Sequence, residues 1–244
     1  MKPYLLVSTR PEEEALDSEY QAYVRATGLD REQLELAEFD LVGLPPIDPA
    51  LYSGIFVAGS PYAGTTGHIS QRLLWVREQI TELLEELLAA ETPLLVTGDA
   101  VTMLTEALGG SVSAEDGELG EIADIELTRE ALEDPLTKSL PPVFPAYSNH
   151  AEAVSELPEG AVRLARSLNT HVEIYRWGDR VYSVQFNPEL DAESISAQIQ
   201  AYVDAGDSGM GDVESLVGIG RHSTHRDNAG NVLRNFAEHF RQDD

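Results

Sequence analysis

Asp99, His150 and Glu189 are the side chains whose types suit acid–base or covalent chemistry. A carboxylate such as Asp99 can form covalent intermediates, but we favour an N-cap or first-turn acid at a predicted helix start. His150 could act as a base or line a ligand pocket; the alternative is a hydrogen-bonded loop histidine. Glu189 either polarises a group in a pocket or lies near a helix start, where negative charge is favourable.

Thiol and metal chemistry have little support in the sequence. It contains no cysteine, which excludes disulfides, thiolate catalysis and cysteine-ligated zinc. His222 and His225, with Asp227 nearby, resemble a fragment of a metal site. Two histidines without a third convergent ligand are more typical of a solvated loop. We therefore predict no metal and no cofactor, and no serine triad at Ser60 or Thr97, which have no neighbouring base in the sequence.

The charge balance narrows the range of partners. The 244 residues include 16 Lys and Arg against 43 Asp and Glu, a formal net charge of −27. Such a charge repels phosphate backbones and anionic lipid, so we predict neither nucleic acid nor a membrane surface as a partner. No apolar run reaches the roughly 18 residues of a membrane span, and the N-terminus lacks the features of a signal peptide. We expect a cytoplasmic protein.

The order of the predicted elements indicates an α/β fold. Strands and helices alternate through residue 108, which is typical of a mostly parallel sheet covered on both faces. The predicted strands are 4–8, 33–39, 54–58 and 93–97, and the predicted helices are 12–27, 71–90 and 99–108. Gly28 and the pair Gly109-Gly110 are expected to end helices.

The second half of the chain is expected to add antiparallel strands. Strands are predicted over 121–127 and 143–148, and a hairpin over 171–177 and 180–186 with a type II′ turn at Gly178-Asp179. Helices are predicted over 191–205, with Asp191 as N-cap, and over 228–241. A flexible connection over 206–211 separates them. The last segment is too short to be a domain, so we expect one domain over 1–244.

Three segments carry a resemblance to a known family. They read TPLLVTGDA and LTEALGG within 92–110, VQFNPE over 184–189, and FVAGSP over 56–61. In this order and spacing they resemble the class I glutamine amidotransferases, near the domain found in GMP synthase and its stand-alone relatives. That family reads P-x-L-G-x-C-x-G-x-Q before a helix ending A-L-G-G, then V-Q-F-H-P-E. The resemblance implies a three-layer α/β sandwich: a mostly parallel central sheet, flanking helices and a small antiparallel sheet or hairpin.

The resemblance also assigns the family's catalytic triad to positions in this chain. The cysteine position is Gly98, the histidine position is Asn187, and the glutamate is retained as Glu189. Glycine has no side chain and an amide cannot shuttle a proton near neutral pH. Losing triad members as a unit leaves only weak residual catalysis. We therefore predict that no catalytic set is intact and that the cysteine-dependent glutaminase reaction is lost.

The turn that carries Gly98 is nevertheless expected to survive. A nucleophile elbow holds its central residue in strained backbone space, which glycine enters freely. The vacated pocket would present helix amides to a small anion or polar ligand, although Asp99 would compete for them. The residues expected to line this pocket are Gly59, Ser60, Gly98, Asp99, Thr102 (the family's glutamine position) and His150.

Three functional hypotheses follow. The first is a catalytically degenerate amidotransferase homologue that binds glutamine or another small polar ligand, or pairs with a synthetase-type protein or with a second copy of itself. The second is a working hydrolase or amidotransferase that uses non-thiol chemistry around Asp99, His150 and Glu189. The third is a structural protein with a vestigial pocket. Pocket geometry separates the first two, because an enzyme needs its nucleophile and base within hydrogen-bond reach.

Overall fold

The computed structural model describes residues 1–10, 12–39, 42–60, 70–191 and 228–243. Within these ranges the helices are α1 (Glu13–Thr27), α2 (Gln71–Ala89), α3 (Ala100–Ala107) and α4 (Asn231–His239). The strands are β1 (Tyr4–Ser8), β2 (Leu34–Glu38), β3 (Ile55–Val57), β4 (Leu94–Thr97), β5 (Ser111–Ser113), β6 (Glu118–Leu127), β7 (Val143–His150), β8 (Ala153–Glu156), β9 (Ala161–Arg166), β10 (Ile174–Trp177) and β11 (Val181–Val184).

A nine-stranded mixed sheet forms the middle layer, in the order β2-β1-β3-β4-β11-β10-β9-β6-β7. Strands β2 through β11 in this order pair in parallel, and the pairings from β11 through β7 are antiparallel. Strands β5 and β8 form a separate two-stranded antiparallel sheet. The predicted α/β fold is confirmed, and the antiparallel strands continue the main sheet itself.

Alternation along the strands explains why both faces of the sheet are covered. Tyr4 and Leu6 of β1 belong to a buried cluster with Phe236 of α4, while Leu5 and Val7 belong to the cluster that includes α2 and α3. Successive side chains of a strand point to opposite faces, so a strand that is apolar throughout needs helices on both sides. The outcome is the three-layer arrangement.

The predicted parallel strands, and the predicted helices that fall within the described ranges, agree with the structure to within about one to three residues at their ends. Gly28 ends α1 with φ +72°, as predicted. The short strands β5, β8 and β9 were not predicted. Strand β7 was expected to end at Ser148, whereas it continues to His150.

The predicted two-residue turn of the hairpin is wrong. Trp177 pairs with Val181, so three residues, 178–180, connect β10 to β11. Burial of strand residues sets this register, because a shift by one residue would turn every side chain to the opposite face. The turn adapts to the strands, although Gly178 does have a positive φ of +59°.

Several predictions concern residues outside the described ranges. They are the loop after Ser60, the helix body over 192–205, the connection 206–211, and His222 and His225. In the part of the chain that the structure describes, none of the helices is both long and apolar enough to cross a membrane.

Candidate functional site

Gly98 forms a sharp turn, called the elbow below, between a central strand and a helix. Strand β4 ends at Thr97 and α3 begins at Ala100, so only two residues connect them. Gly98 has φ +56°, in the left-handed region that glycine enters at low cost. Its N–H donates a 2.9 Å hydrogen bond to the carbonyl of Val184 at the end of β11. The turn is therefore held at the carboxyl ends of the two central parallel strands.

The loop after β3 lies directly against this turn. A β-carbon built on Gly59 would lie 3.5 Å from Gly98 Cα and 3.7 Å from the main-chain nitrogen of Asp99. A β-carbon built on Gly98 would lie 3.2 Å from Gly59 Cα. The two backbones can approach this closely because both positions lack side chains.

Asn187 faces the place where a side chain on Gly98 would begin. Its Nδ2 lies 3.4 Å from a β-carbon built on Gly98 and donates a 3.2 Å hydrogen bond to Oε1 of Glu189. The Asn187 main chain is fixed by a 2.9 Å bond from its N–H to the carbonyl of Tyr147 in β7. Gly98, Asn187 and Glu189 thus lie in the relative order that a nucleophile, a base and an orienting acid require.

The Glu189 carboxyl is buried in an acidic environment. Burial, the largest cause, and repulsion from Glu19 raise its pKa from 4.5 to about 7, against the opposing effects of its own main-chain amide, the Asn187 amide and Arg10. Within the described residues, Glu189 Oε2 and Asn187 Oδ1 are buried without a hydrogen-bond partner. This carboxyl therefore changes its charge near neutral pH. The two unpartnered oxygens lie next to the turn at Gly98 and could each accept a further hydrogen bond.

Arg10 and Glu19 belong to this site and were not predicted. Arg10 Nε lies 2.8 Å from Glu19 Oε1, and the Ser8 hydroxyl donates to Glu19 Oε2. Arg10 also lowers the pKa of both Asp99 and Glu189, so it is the positive charge among these carboxyls. A signal was available, since buried β1 ends at Ser8, Thr9 and Arg10 follow it, and the carboxyl ends of parallel strands share one edge.

Asp99 occupies the N-cap position of α3, but the predicted cap hydrogen bond is absent. Its backbone is already helical, with φ −60° and ψ −22°, whereas a capping residue has an extended conformation. The carboxylate accepts a hydrogen bond from the main-chain N–H of Ala151. Burial raises its pKa from 3.8 to about 6, opposed by that bond and by Arg10. The predicted N-cap position of Asp99 is therefore confirmed, whereas the side-chain hydrogen bond typical of a cap is absent.

Ser60 and Thr102 are buried and already hydrogen-bonded. Ser60 Oγ accepts a 2.9 Å hydrogen bond from the Thr9 hydroxyl. The Thr102 hydroxyl donates a 2.9 Å bond to the carbonyl of Asp99 within its own helix. Both side chains support the turns around Gly98, and their role as ligand contacts stays a prediction.

His150 lies at the end of β7 and is fully buried. Its Nε2 is 3.9 Å from Oε2 of Glu118. Burial lowers the pKa of His150, while Glu118 and the Glu152 main chain oppose that shift. The residue is therefore a strand histidine, not the hydrogen-bonded loop residue that was the alternative prediction.

The structure does not bring together the three side chains of the non-thiol hypothesis. Asp99 bonds to the main chain of Ala151, His150 faces Glu118, and Glu189 bonds to Asn187. Among the described residues, no hydrogen bond or salt bridge joins any two of Asp99, His150 and Glu189. An enzyme needs such a contact between nucleophile and base, so this arrangement does not support the hypothesis.

Comparison with known proteins agrees with the fold. The sequence model of the family described as glutamine amidotransferase class-I matches residues 26–200. The chain is 36% identical over 106 residues to a glutamine-hydrolyzing GMP synthase subunit of Haloquadratum walsbyi, covering 43% of this chain and 56% of that protein. It is 36% identical over 101 residues to the corresponding protein of Natronomonas pharaonis, covering 41% and 54%. The matches thus span little more than half the length of these relatives.

A solved structure matches over nearly the whole chain. The crystal structure of a glutamine amidotransferase from Thermotoga maritima superposes with a TM-score of 0.76 and covers 98% of each chain. The sequence identity is 19%, so this likeness establishes the fold alone.

Proposed function

This chain belongs to the class-I glutamine amidotransferase family, and from that premise we propose that it lacks the cysteine-dependent glutaminase reaction and acts as a binding module. The observation that carries the proposal is the geometry at Gly98. A β-carbon there would point at Asn187, which in turn bonds to Glu189. The layout of a triad is present while its nucleophile and its proton carrier are replaced by a hydrogen atom and an amide.

Hydrolysis of glutamine needs a group that attacks the amide carbonyl and a group that transfers protons. Gly98 provides no nucleophile, and the Asn187 amide neither accepts nor releases a proton near neutral pH. The Asp99 carboxylate is occupied by a hydrogen bond from the Ala151 main-chain amide. Glutamine bound at this elbow would therefore stay intact.

The remaining groups suit a small ligand that carries both a negative and a positive charge. Arg10, whose side chain is 25% exposed, offers a cation to a carboxylate. Asp99 and Glu189 offer carboxyls to an ammonium group, and both titrate near neutral pH. We propose L-glutamine or a close analogue as the ligand, since the fold and elbow are those of a family that binds it.

Restoration of the triad tests this proposal. We expect background release of glutamate and ammonia from glutamine by the native protein. The double variant Gly98→Cys with Asn187→His should gain glutaminase activity, because the added groups would face each other beside Glu189. Gly98→Ala with Asn187→His is the matched control, since it carries the same strain without the thiol. Turnover by the native protein at enzyme-like rates would refute the proposal.

Binding is measured separately from catalysis. Calorimetric titration with L-glutamine should show saturable binding that Arg10→Gln weakens, with D-glutamine as the stereochemical control. A native protein that fails to bind glutamine would remove the ligand assignment and leave the loss of glutaminase chemistry standing.

A protein partner is the second part of the proposal. The relatives from Haloquadratum walsbyi and Natronomonas pharaonis are subunits of GMP synthase, so we propose that this chain associates with a synthetase-type protein or with a second copy of itself. Light scattering after size exclusion would give the mass of the isolated protein. A dimer mass supports self-association, and a monomer that co-elutes with the synthetase component of a GMP synthase supports the other partner. A monomer that binds neither contradicts this part.

A further inference from the structure

A second group of ionisable side chains is buried in the antiparallel half of the sheet. Glu118 begins β6, His150 ends β7, and Glu173 immediately precedes β10. Their exposed fractions are 2%, 0% and 0%. One potential ligand atom from each lies within 4.8 Å of the other two. Three such groups rarely meet in a protein interior without a compensating charge or partner.

The strands hold these three residues in place. Glu118 is the register partner of His150 across β6 and β7. Glu173 is tied to its neighbours on both sides, since its N–H donates to the carbonyl of Ala165 at 2.9 Å and its own carbonyl accepts from Gln185 at 2.8 Å. The cluster therefore rests on paired backbone, which keeps the side chains converging.

Polar atoms of two cluster members, His150 and Glu118, are left without hydrogen bonds. Both ring nitrogens of His150 and Oε2 of Glu118 are buried and lack a hydrogen-bond partner among the described residues. The other Glu118 oxygen, Oε1, accepts a 2.6 Å hydrogen bond from the Ser167 hydroxyl. That bond directs Oε2 toward His150 Nε2, 3.9 Å away. Leaving such groups unsatisfied in the interior is unfavourable, because each has lost its hydrogen bonds to water without gaining a replacement.

We propose that Glu118, His150 and Glu173 bind one divalent transition-metal ion. Two carboxylates would neutralise the ion, and the imidazole nitrogen would complete a three-ligand protein set. The histidine favours Zn²⁺, Mn²⁺ or Fe²⁺ over Ca²⁺ and Mg²⁺, which prefer oxygen ligands. Ligand atoms on one such ion lie roughly 3–3.5 Å apart, so the cluster needs to contract by about an ångström.

The ion would have a structural role. It would join strands β6 and β7 to the start of β10, and so fix the turn that follows His150. The next residue, Ala151, donates its N–H to Asp99 beside the elbow. The metal ion would therefore fix the position of Ala151 and, through it, of Asp99 beside Gly98. Ser167 acts as a positioning residue for Glu118.

Zn²⁺ and Co²⁺ are the probes for this site. Since the cluster is closed to solvent, metal-free protein is prepared by unfolding in chelator and refolding. We expect one Zn²⁺ per chain, an increase in Tm on refolding with Zn²⁺, and visible Co²⁺ bands. X-ray absorption of the Zn²⁺-loaded native protein should show nitrogen and oxygen ligands with one imidazole. A native protein that binds neither ion overturns the proposal, as does a spectrum with two or more imidazoles.

Variants locate the ion. His150→Gln and Glu173→Gln should each weaken Zn²⁺ binding at least about a hundredfold, and Ser167→Ala about 10- to 100-fold. Glu126→Gln is the matched control, because Glu126 lies on the same strand as Glu118 but is about half exposed and pairs with Arg166. Binding that survives both His150→Gln and Glu173→Gln overturns the assignment. If these variants do not fold, the X-ray absorption of the native protein decides.

Discussion

The Asp99 carboxylate accepts a hydrogen bond from the main-chain N–H of Ala151. This bond joins the start of α3, one residue after the elbow, to the turn that follows β7. Ala151 is also the neighbour of His150, so the bond connects the elbow site to the buried cluster of Glu118, His150 and Glu173.

Replacing Asp99 tests the strength of that connection. Asp99→Ala would leave the Ala151 N–H without a partner and should lower the free energy of unfolding by about 1–3 kcal/mol. Both variants remove the buried charge, but Asp99→Asn keeps an oxygen acceptor for the Ala151 N–H, so it should cost less than the alanine variant. Urea unfolding of both variants at pH 7 gives the comparison, and equal losses would contradict the hydrogen-bond assignment.

The pKa of Glu189 predicts a pH-dependent stability. Its value rises from 4.5 to about 7 on folding, so between these pH values the folded chain keeps a proton that the unfolded chain has released. The free energy of unfolding should therefore fall as pH rises from about 4.5 to 7, by up to about 3 kcal/mol from this group. Above about pH 7 the loss is complete.

Glu189→Gln should abolish that part of the pH dependence. The Gln side chain still accepts the bond from Asn187 but does not ionise, so the variant should gain stability relative to the native protein as pH rises to about 8. Urea unfolding at intervals from pH 4.5 to 8 measures the difference between the two curves. Curves that stay parallel would show that the Glu189 pKa is not raised.

The close approach of the turns at Gly59 and Gly98 predicts that any side chain at position 98 lowers the stability of the protein. Gly98→Ala would carry a positive φ and place a β-carbon 3.2 Å from Gly59 Cα. Gly109→Ala is the matched control, with φ +83° and no atom within 4 Å of its β-carbon. We expect about 1–2 kcal/mol of destabilisation at Gly109 and roughly 1–3 kcal/mol more at Gly98. Thermal unfolding measures both, and equal costs would show that the turns can separate freely.

Arg10 should contribute more to the free energy of unfolding than its partial exposure suggests. Arg10→Gln would leave the buried Glu19 carboxylate without its ion pair and remove the cation near Asp99 and Glu189. We expect a loss of about 1–3 kcal/mol in unfolding free energy at pH 7, less than a fully buried pair because of solvent screening. The pH range over which Glu189 changes its charge should also move upward, because Arg10 lowers the pKa of Glu189.

Arg166→Gln provides the comparison for Arg10. Its ion pair with Glu126 has the same 2.8 Å separation, but the two side chains are 50% and 53% exposed. Removing it should cost no more than about 1 kcal/mol. If the two variants lose equal stability, burial does not strengthen the Arg10–Glu19 pair.

Much of the fold could be predicted from the sequence. Apolar runs such as 93–97 identified the parallel strands, and Gly28 correctly marked a helix end. Short strands such as β9 were missed because a few residues with partial alternation carry a weak signal. The hairpin turn was mispredicted because its length depends on the register of strands buried in the core.

The candidate site was predictable only where a motif marked it. The segments around Gly98 and Asn187 pointed to one site through their resemblance to a family. Arg10 and Glu19 lie in no such motif, and Glu118 and Glu173 are 55 residues apart, the difference of their positions. Sequence spacing does not reveal contacts of this kind.

The sequence by itself determined what chemistry is absent. A chain without cysteine has no thiolate, and a glycine at the elbow has no nucleophile in any conformation, because these are properties of the covalent structure. Only the tertiary structure decided which groups meet. Sheet register and the approach of two turns place Asn187 beside Gly98, and turn His150 toward Glu118 instead of Asp99, since distances between remote residues depend on how the strands pair.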